Sequence, residues 1–323
     1  MTAVHAAATF LAAAAITALA WRAGPRLGLV ALPNERSSHD RPTTTSGGIG
    51  FVVPIVVWLA AVARDYPSAV ALAACGGAIA AVGLVDDARD LRRDVRLACY
   101  LALCAASVLW LFDLPPTVAF AAIVGLTAWV NLYNFMDGTD GLAASQAIAY
   151  ALGALILGDL EESAPFAWIL VAATAGFLCF NWAPAKVFMG DVGSLFLGLA
   201  TGVTALWLWQ NGELPFVASL ILLVAFWLDA SYTLLMRIAT GQAFARAHRT
   251  HLYQIIAARL GHGATAGVFW LYTVAWLWPL AGVCITWPAW CYAALAAACL
   301  PVAVACVVCR AGVADAAGTA DEP

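Results

Sequence analysis

Charged residues are scarce in this chain of 323 residues. Asp, Glu, Lys and Arg together make up 11% of it, whereas a typical soluble domain has about 25%. Hydrophobic residues make up 64%, and the mean hydropathy is +0.88. This composition excludes an ordinary soluble globule, a disordered chain and a basic domain that binds nucleic acid. It leaves a polytopic membrane protein.

Two further signals of other protein classes are missing. The nine cysteines all lie in apolar stretches, and the one CxxC pair, Cys306 and Cys309, has no second pair nearby. We therefore expect small buried apolar residues rather than a metal or redox site. No charged segment precedes the apolar stretch from Ala3 to Trp21, which predicts a first transmembrane helix rather than a cleavable signal.

Long apolar stretches, each near the length of about 20 residues that a membrane-spanning helix needs, predict an all-α integral membrane protein. We expect a polytopic bundle of eleven transmembrane helices, forming a single catalytic domain over 1–310 with a short disordered cytoplasmic tail over 311–323. The expected helices are 3–22, 48–63, 68–85, 97–112, 116–131, 143–158, 165–182, 194–209, 215–236, 264–281 and 286–309.

The basic residues predict the orientation in the membrane. If the loops are numbered alternately, one set holds 14 of the 15 Lys and Arg residues, and the other set holds only Arg64. Cytoplasmic loops are enriched in Lys and Arg, so the first set is predicted to face the cytoplasm. The N-terminus is then outside and the C-terminus inside.

Five dense polar clusters all fall in the predicted cytoplasmic loops, and the outer loops hold nothing comparable. Ionisable groups at the ends of apolar helices are costly, and they indicate a functional site by default. The one-sided distribution therefore predicts a site that handles a cytoplasmic substrate at the membrane surface. The clusters cover 33–48, 86–90, 131–143, 188–194 and 248–254.

The second cluster contains Asp86, Asp87 and Asp90. On a helical turn Asp86 and Asp90 would share a face, where like charges repel unless a cation lies between them. Mg²⁺ takes oxygen ligands of this kind, usually together with substrate phosphates. The alternative is a solvated helix end neutralised by neighbouring arginines, and the motif alone leaves both open.

The third cluster repeats polar side chains at a helical step: Asn131, Asn134, Asp137 and Asp140. Such a stripe suits hydrogen bonding to a base or sugar, or metal coordination. In the fourth cluster Asp191 precedes an apolar helix. It is predicted either to cap that helix or, beside the other carboxylates, to ligate Mg²⁺.

The last cluster contains His248 and His251 with Arg249 between them. Arg and His together suit phosphate oxygens better than Zn²⁺, although a juxtamembrane basic stretch is the plainer alternative. Asp229 is predicted to be either a structural partner of Arg237 or part of the site. His5 and His262 are expected to be incidental.

The motifs as a set strongly resemble the polyprenyl-phosphate N-acetylhexosamine-1-phosphate transferase superfamily (glycosyltransferase family 4). They run in order from about residue 33 to residue 254 and read PNERSSH, DDxxD, NxxNxxDGxDGLA, FMGDxGS and HxxHxYQ. The resemblance implies a multi-pass enzyme of the bacterial inner membrane with its active site on the cytoplasmic face. It implies transfer of a sugar 1-phosphate from a UDP-sugar to undecaprenyl phosphate, with release of UMP and with Mg²⁺, or Mn²⁺ in its place. A homodimer is an open expectation.

The same resemblance implies a role for each motif residue. The catalytic carboxylates would be Asp86, Asp87 and Asp90, and the metal ligands Asn134 and Asp191. The remaining assignments are nucleotide-sugar binding by Asn131, Asp137, Asp140 and Gly190, phosphate binding by His248, Arg249 and His251, and weaker candidates at Arg36, Ser38, His39 and Asp229.

Two features bear on the branch of the superfamily. The last loop lacks the run of consecutive histidines typical of the peptidoglycan branch, which favours the branch that initiates O-antigen or another surface polysaccharide. The stretch Thr44–Gly48 lacks an Arg that relatives of this branch often have. A lipid-I-type transferase of peptidoglycan synthesis stays as the alternative. A polytopic transporter with a cytoplasmic gate is the alternative from another class.

Overall fold

The computed structural model describes residues 3–31, 42–160, 163–242 and 248–313, and these residues form a bundle of α-helices. In chain order the first seven are α1 (Ala3–Leu27), α2 (Ile49–Val62), α3 (Ser68–Arg89), α4 (Arg93–Leu111), α5 (Pro116–Phe135), α6 (Leu142–Leu157) and α7 (Ala164–Asn181). The others are α8 (Gly190–Gln210), α9 (Phe216–Leu222), α10 (Val224–Ala239), α11 (Leu252–Leu260), α12 (His262–Tyr272), α13 (Trp278–Thr286) and α14 (Cys291–Val308).

Each apolar stretch that the sequence predicts as a helix is helical, so the all-α polytopic membrane class is confirmed. Eight helices in the described ranges are long and apolar enough to cross a membrane, or nine if the bent pair α9 and α10 counts as one span. Two more, α2 and α6, are apolar but shorter. The number eleven and the orientation of the termini stay predictions.

Two of the predicted helices are interrupted. The axis bends by 74° between α9 and α10, although neither Pro nor Gly stands at the break at Leu223. Between α12 and α13 the chain widens into one π-helical turn, Thr273–Leu277, and a 3₁₀ turn at Pro288–Trp290 precedes α14. Both changes of helix type lie beside a proline, which has no backbone N–H to donate: Pro279 is in the first turn of α13, and Pro288 begins the 3₁₀ turn.

Helix α8 lies at the centre of the bundle: within the most apolar 18 residues of this helix, 89% are buried inside the protein. It is apolar on all sides, which is the pattern of a buried helix. Small residues allow its neighbours to approach closely. A Cβ on Gly48 would overlap the backbone of Gly193, and one on Gly83 would overlap the backbone carbonyl of Asp191.

A short hairpin ties the first loop to the start of α8. Strands β1 (Val30–Ala31) and β2 (Thr43–Thr44) pair antiparallel. The carbonyl of Thr44 accepts a hydrogen bond from the Phe188 N–H (2.8 Å). The Gly48 N–H in turn donates to the carbonyl of Met189 (2.8 Å). The segment just before α8 is thus hydrogen-bonded alongside strand β2 of the hairpin.

The C-terminal end of the described chain packs against the helices. Ala311 is fully buried in a small cluster with Leu252, Val302 and Cys306. The sequence assigned 311–313 to a disordered tail, but these three residues are in contact with the bundle, and 314–323 lie outside the described residues.

The predicted orientation can be tested by labelling single introduced cysteines in intact cells with a membrane-impermeant maleimide. Asp113 and Arg92 are both exposed, beyond opposite ends of α4. We expect Asp113→Cys to be labelled in intact cells and Arg92→Cys only after permeabilisation. Labelling is measured as the increment over the wild-type chain, which already has nine cysteines. The reverse pattern would invert the topology.

Candidate active site

A cavity of about 910 Å³ opens at one end of the bundle, where the polar clusters of the sequence come together. Residues from all five clusters line it, along with parts of α11 and α12 that no motif includes. The fifth contribution, from the first loop, is Thr45. Its weaker candidates Arg36, Ser38 and His39 lie outside the described residues.

Asp87 stands in the last turn of α3 and lines the cavity. Its side chain caps a different helix, α8. Its carboxylate accepts hydrogen bonds from the Asp191 N–H (2.9 Å) and from the Ser46 hydroxyl (2.9 Å). It therefore satisfies the first amides of α8, which have no partner inside that helix. Gly190 has a positive φ of 72°, and a Cβ there would overlap the Asp87 carboxylate. The Asp191 side chain does not cap α8, so the prediction that Asp191 serves as the cap of this helix is wrong.

Asp191 is held in place by Asn134, the other predicted metal ligand. The Asn134 side-chain amide donates to the Asp191 carboxylate (3.0 Å) and to the Ser194 hydroxyl (2.9 Å). Since both of these bonds use the amide nitrogen, they fix the orientation of the group and leave its oxygen directed elsewhere. The structure brings these two residues together beside Asp87, in the wall of the cavity.

Asp86 is buried and forms an ion pair with Arg96. In the sequence, Arg96 counted only as one of the basic residues that predict the orientation in the membrane. The Asp86 carboxylate accepts from Arg96 Nη1 (2.8 Å) and from the Leu91 N–H (2.8 Å). Its carboxyl group also interacts with the Asp191 carboxyl. The signal for Arg96 in the sequence was weak, because it lies in a run of arginines that otherwise point outward.

Asp90 and Asn131 are not brought to the cavity. Helix α3 ends at Arg89, and Asp90 takes a left-handed conformation (φ 48°) in which its N–H donates to the Asp86 carbonyl (2.9 Å). The helical face that Asp86 and Asp90 were predicted to share therefore does not exist, because the helix ends first. Asn131 lies one turn before Asn134 on α5, outside the lining of the cavity.

Asp137 lies in the loop after α5 and lines the cavity. Burial raises the pKa of its carboxyl well above the usual range, and the nearby carboxylates of Asp191, Asp87 and Asp140 raise it further. Acidic groups thus crowd into one region of the cavity, where a bound cation would relieve their mutual repulsion.

Asp140 connects three loops at the cavity wall. Its carboxylate accepts a hydrogen bond from the Ala185 N–H (2.9 Å) and lies 3.2 Å from Nδ1 of His262. His262, expected to be incidental, lines the cavity. Asn181, which no motif included, accepts from the Gly141 N–H (3.0 Å) and donates to the Val187 carbonyl (3.0 Å). Contacts over such sequence distances leave no local pattern.

The segment 248–251, called the histidine loop below, contributes Arg249 to the lining of the cavity. Arg249 is exposed at the rim and lines the cavity, and the His248 and His251 rings stack at 4.9 Å. His251 is buried as the N-cap of α11, and its backbone N–H donates to the Gln254 side chain (3.2 Å). Only Arg249 of the three predicted phosphate ligands therefore faces the cavity directly.

Asp229 is fully buried and has a structural role that was one of its two predicted alternatives, although its partner is not Arg237. Its carboxylate accepts hydrogen bonds from the backbone N–H groups of Leu252 (2.9 Å) and Tyr253 (2.9 Å). It thereby caps α11 from α10. The capped helix presents a second cation, Arg259, to the cavity, which sequence reasoning also missed.

The donor set fits Mg²⁺. Within the described ranges no three Asp, Glu, His or Cys side chains are grouped so that they could hold a metal on their own. Mg²⁺, however, usually binds through one or two carboxylates and completes its shell with water and substrate phosphates. The Asp191 carboxylate and the side-chain oxygen of Asn134 would supply one carboxylate and one further oxygen ligand.

The chain is similar to known proteins over the stretch that builds most of this cavity. The family model for glycosyl transferase family 4 matches residues 69–209, the stretch that contains Asp86, Asp87, Asn134 and Asp191. A probable undecaprenyl-phosphate N-acetylglucosaminyl 1-phosphate transferase of Bacillus subtilis is 30% identical over 284 residues, which cover 79% of this chain and 77% of that protein.

Two further relatives match over shorter stretches. A decaprenyl-phosphate N-acetylglucosaminephosphotransferase of Mycolicibacterium smegmatis is 31% identical over 218 residues, covering 56% of this chain and 53% of that protein. A phospho-N-acetylmuramoyl-pentapeptide-transferase of Moorella thermoacetica is 35% identical over 194 residues, covering 51% and 61%. The matched part is thus between half and two thirds of these two relatives.

We expect Gly83→Ala to destabilise the protein and displace Asp191. The new Cβ would overlap the Asp191 carbonyl, and overpacking of this kind costs about 1–3 kcal/mol. Alanine otherwise favours a helix over glycine, so a loss of thermal stability in detergent can be attributed to the contact. The matched control is Gly267→Ala on α12, where a Cβ meets nothing within 4 Å. Equal melting temperatures would contradict this packing.

Proposed function

The chain belongs to glycosyl transferase family 4, and on that premise we propose that it transfers a sugar 1-phosphate from a UDP-sugar to undecaprenyl phosphate. The sugar is of the N-acetylhexosamine type, the other product is UMP, and the lipid-linked sugar begins a cell-surface polysaccharide. The enzyme is a multi-pass protein of the bacterial inner membrane, with the cavity open to the cytoplasm.

The observation that supports this activity most is the composition of the cavity. Carboxylates on α3, α8 and the loop after α5 line a cavity of about 910 Å³ together with Arg249 and Arg259. Phosphoryl transfer between two anions needs neutralisation and positioning of charge more than covalent chemistry. A cavity lined by carboxylates that can hold a cation and by arginines that can bind phosphate oxygens supplies both.

The proposed reaction is a direct displacement. An oxygen of the lipid phosphate forms a bond to the β-phosphorus of the UDP-sugar, and the bond from that phosphorus to the bridging oxygen breaks, so that UMP leaves with this oxygen. The lipid phosphate needs little help from a base, because a phosphate monoester loses its second proton near pH 6. Mg²⁺, when bound by Asp191 and Asn134, would neutralise the diphosphate and stabilise the leaving group.

The hydrogen bonds of Asp86 and Asp87 favour direct attack over a covalent aspartyl intermediate. Both oxygens of each carboxylate already accept hydrogen bonds, from Arg96 and Leu91 in one case and from backbone and Ser46 in the other. Such bonds stabilise the ionised carboxylate and lower its nucleophilicity. We therefore assign these two residues to positioning of the site and its charges, not to bond formation.

A groove on the membrane-facing side is suited to the lipid tail. It encloses about 450 Å³ between α5, α8, α9 and α10, next to the bend between α9 and α10. Its walls include Trp129, Leu132, Leu223 and Trp227 and are almost entirely apolar. An isoprenoid chain would gain contact there without leaving the hydrocarbon region of the bilayer.

A lipid-I-type transfer of phospho-N-acetylmuramoyl-pentapeptide is the second candidate. Relatives named for that reaction are 35–36% identical to this chain over 194 residues, as in Moorella thermoacetica and Trichormus variabilis. The two candidates share the cavity and the reaction and differ in the donor. A donor assay therefore separates them.

We expect the purified protein in detergent to release UMP only when undecaprenyl phosphate and Mg²⁺ are both present. The donors to compare are UDP-N-acetylglucosamine, UDP-N-acetylgalactosamine and UDP-N-acetylmuramoyl-pentapeptide. EDTA should abolish release and added Mg²⁺ restore it, because the diphosphate must be neutralised before attack. UMP release that is independent of the lipid would refute the transfer. The best donor identifies the sugar.

We expect Asp191→Asn to lower the rate of UMP release by about 100-fold or more, the scale of removing one preorganised electrostatic contact from an active site. The substitution keeps the shape of the side chain and an oxygen that can accept from Asn134, so the protein should remain folded. The control is Asp113→Asn, an exposed carboxylate beyond the other end of α4. If Asp191→Asn keeps its activity within about twofold of wild type, the change is too small for such a contact. That result would rule out Asp191 as a metal ligand.

A further inference from the structure

The histidine loop is held from two sides by residues outside the family motifs. On one side Asp229 binds the amides of Leu252 and Tyr253, just after the loop. On the other side the carbonyl of Thr250, between Arg249 and His251, accepts a hydrogen bond from the Gly312 N–H (2.9 Å). The last described turn of the chain is therefore in direct contact with the loop that faces the cavity.

The position of Gly312 is fixed by close packing. Its φ of 77° lies in the left-handed region, and a Cβ on it would stand 2.6 Å from the Thr233 carbonyl oxygen and 2.7 Å from Met236 Cβ. Only glycine fits both the conformation and the space. The preceding residue, Ala311, is fully buried, so this segment cannot move away without exposing apolar surface.

Gln242 connects the same segment to the end of α10. Its Nε2 donates to the Gly312 carbonyl (3.0 Å), and its Oε1 accepts from Arg237 Nη1 (2.9 Å). Arg237 is itself buried in the last turn of α10. A chain of hydrogen bonds thus runs from α10 through Gln242 and Gly312 to the backbone of Thr250.

We propose that Arg237, Gln242 and Gly312 form a C-terminal clasp that positions the histidine loop for the diphosphate of the nucleotide sugar. The inference rests on the proposed function, because it assigns Arg249 to phosphate binding. All three clasp residues act through the loop and are positioning residues. A loop held in its binding conformation loses less entropy when the ligand binds.

Two substitutions test the clasp, each with a matched control. Gly312→Ala adds a Cβ where there is no room and strains the backbone. Its control is Gly212→Ala in the loop after α8, where φ is 71° and nothing lies within 4 Å. Gln242→Glu keeps an oxygen for Arg237 but removes the donor to Gly312. Its control is Gln210→Glu at the exposed end of α8.

We expect both clasp variants to raise the UDP-sugar concentration at half-maximal rate, and the Kd for UMP, by about threefold to tenfold, the range of one lost hydrogen bond. The half-saturating concentration of undecaprenyl phosphate and kcat should each change by less than about twofold, because the clasp residues contact neither the proposed lipid groove nor the acidic residues of the cavity. Hydrogen–deuterium exchange in the peptide over 248–253 should be faster in both variants and unchanged in both controls.

Two results would overturn the clasp. Unchanged exchange over 248–253 in both variants would show that the C-terminal segment does not hold the loop. Faster exchange with unchanged UDP-sugar and UMP affinities would show that holding the loop is irrelevant to binding. A wild-type protein that binds no UMP and transfers no phosphate would instead refute the proposed function. The exchange measurement distinguishes the cases, because it needs no substrate.

Discussion

The structure depends on one partly buried contact, between the Asp87 carboxylate and the first amides of α8. Helix α8 begins at the wall of the cavity, and its first N–H groups have no partner inside the helix, so they need an acceptor from elsewhere. Asp87 reaches these amides from α3, and the Ser46 hydroxyl completes its shell. The helix dipole favours a negative charge at this position. The contact therefore fixes the central helix and brings Asp191 to the wall of the cavity.

The glycines of the motifs follow from this contact. A carboxylate from one helix can reach the end of another only if the two backbones lie close together. A side chain at position 83 would overlap the Asp191 carbonyl, and a side chain at position 190 would overlap the Asp87 carboxylate, so both positions hold glycine. Gly48 and Gly193 allow the same closeness between α2 and α8. Small residues are how helices approach in a membrane, where burial of apolar surface gives no driving force between them.

Sequence reasoning located the site but not the role of each residue in it. Apolar length gave the helices, and the one-sided distribution of polar clusters gave the end of the bundle where they meet. The bend after Leu222 and the end of α3 at Arg89 had no local signal, because packing decides both. Arg96, Asn181 and His262 were missed because their partners Asp86, Gly141 and Asp140 lie between 10 and 122 residues away. Periodicity tells which face a residue occupies, and not what it meets there.

The acidic residues of this site fall into two groups by what they bind. Asp87, Asp229 and Asp140 use their oxygens on backbone amides, and so they fix α8, α11 and the loop before α8. Asp191 and Asp137 face the cavity beside them. A carboxylate is a strong acceptor for several N–H groups, which makes it a suitable cap where water is excluded. The density of Asp in the motifs therefore overstates the number of ligands for a cation, because a conventional Mg²⁺ site needs only one or two of them. The rest hold the helix ends on which those ligands stand.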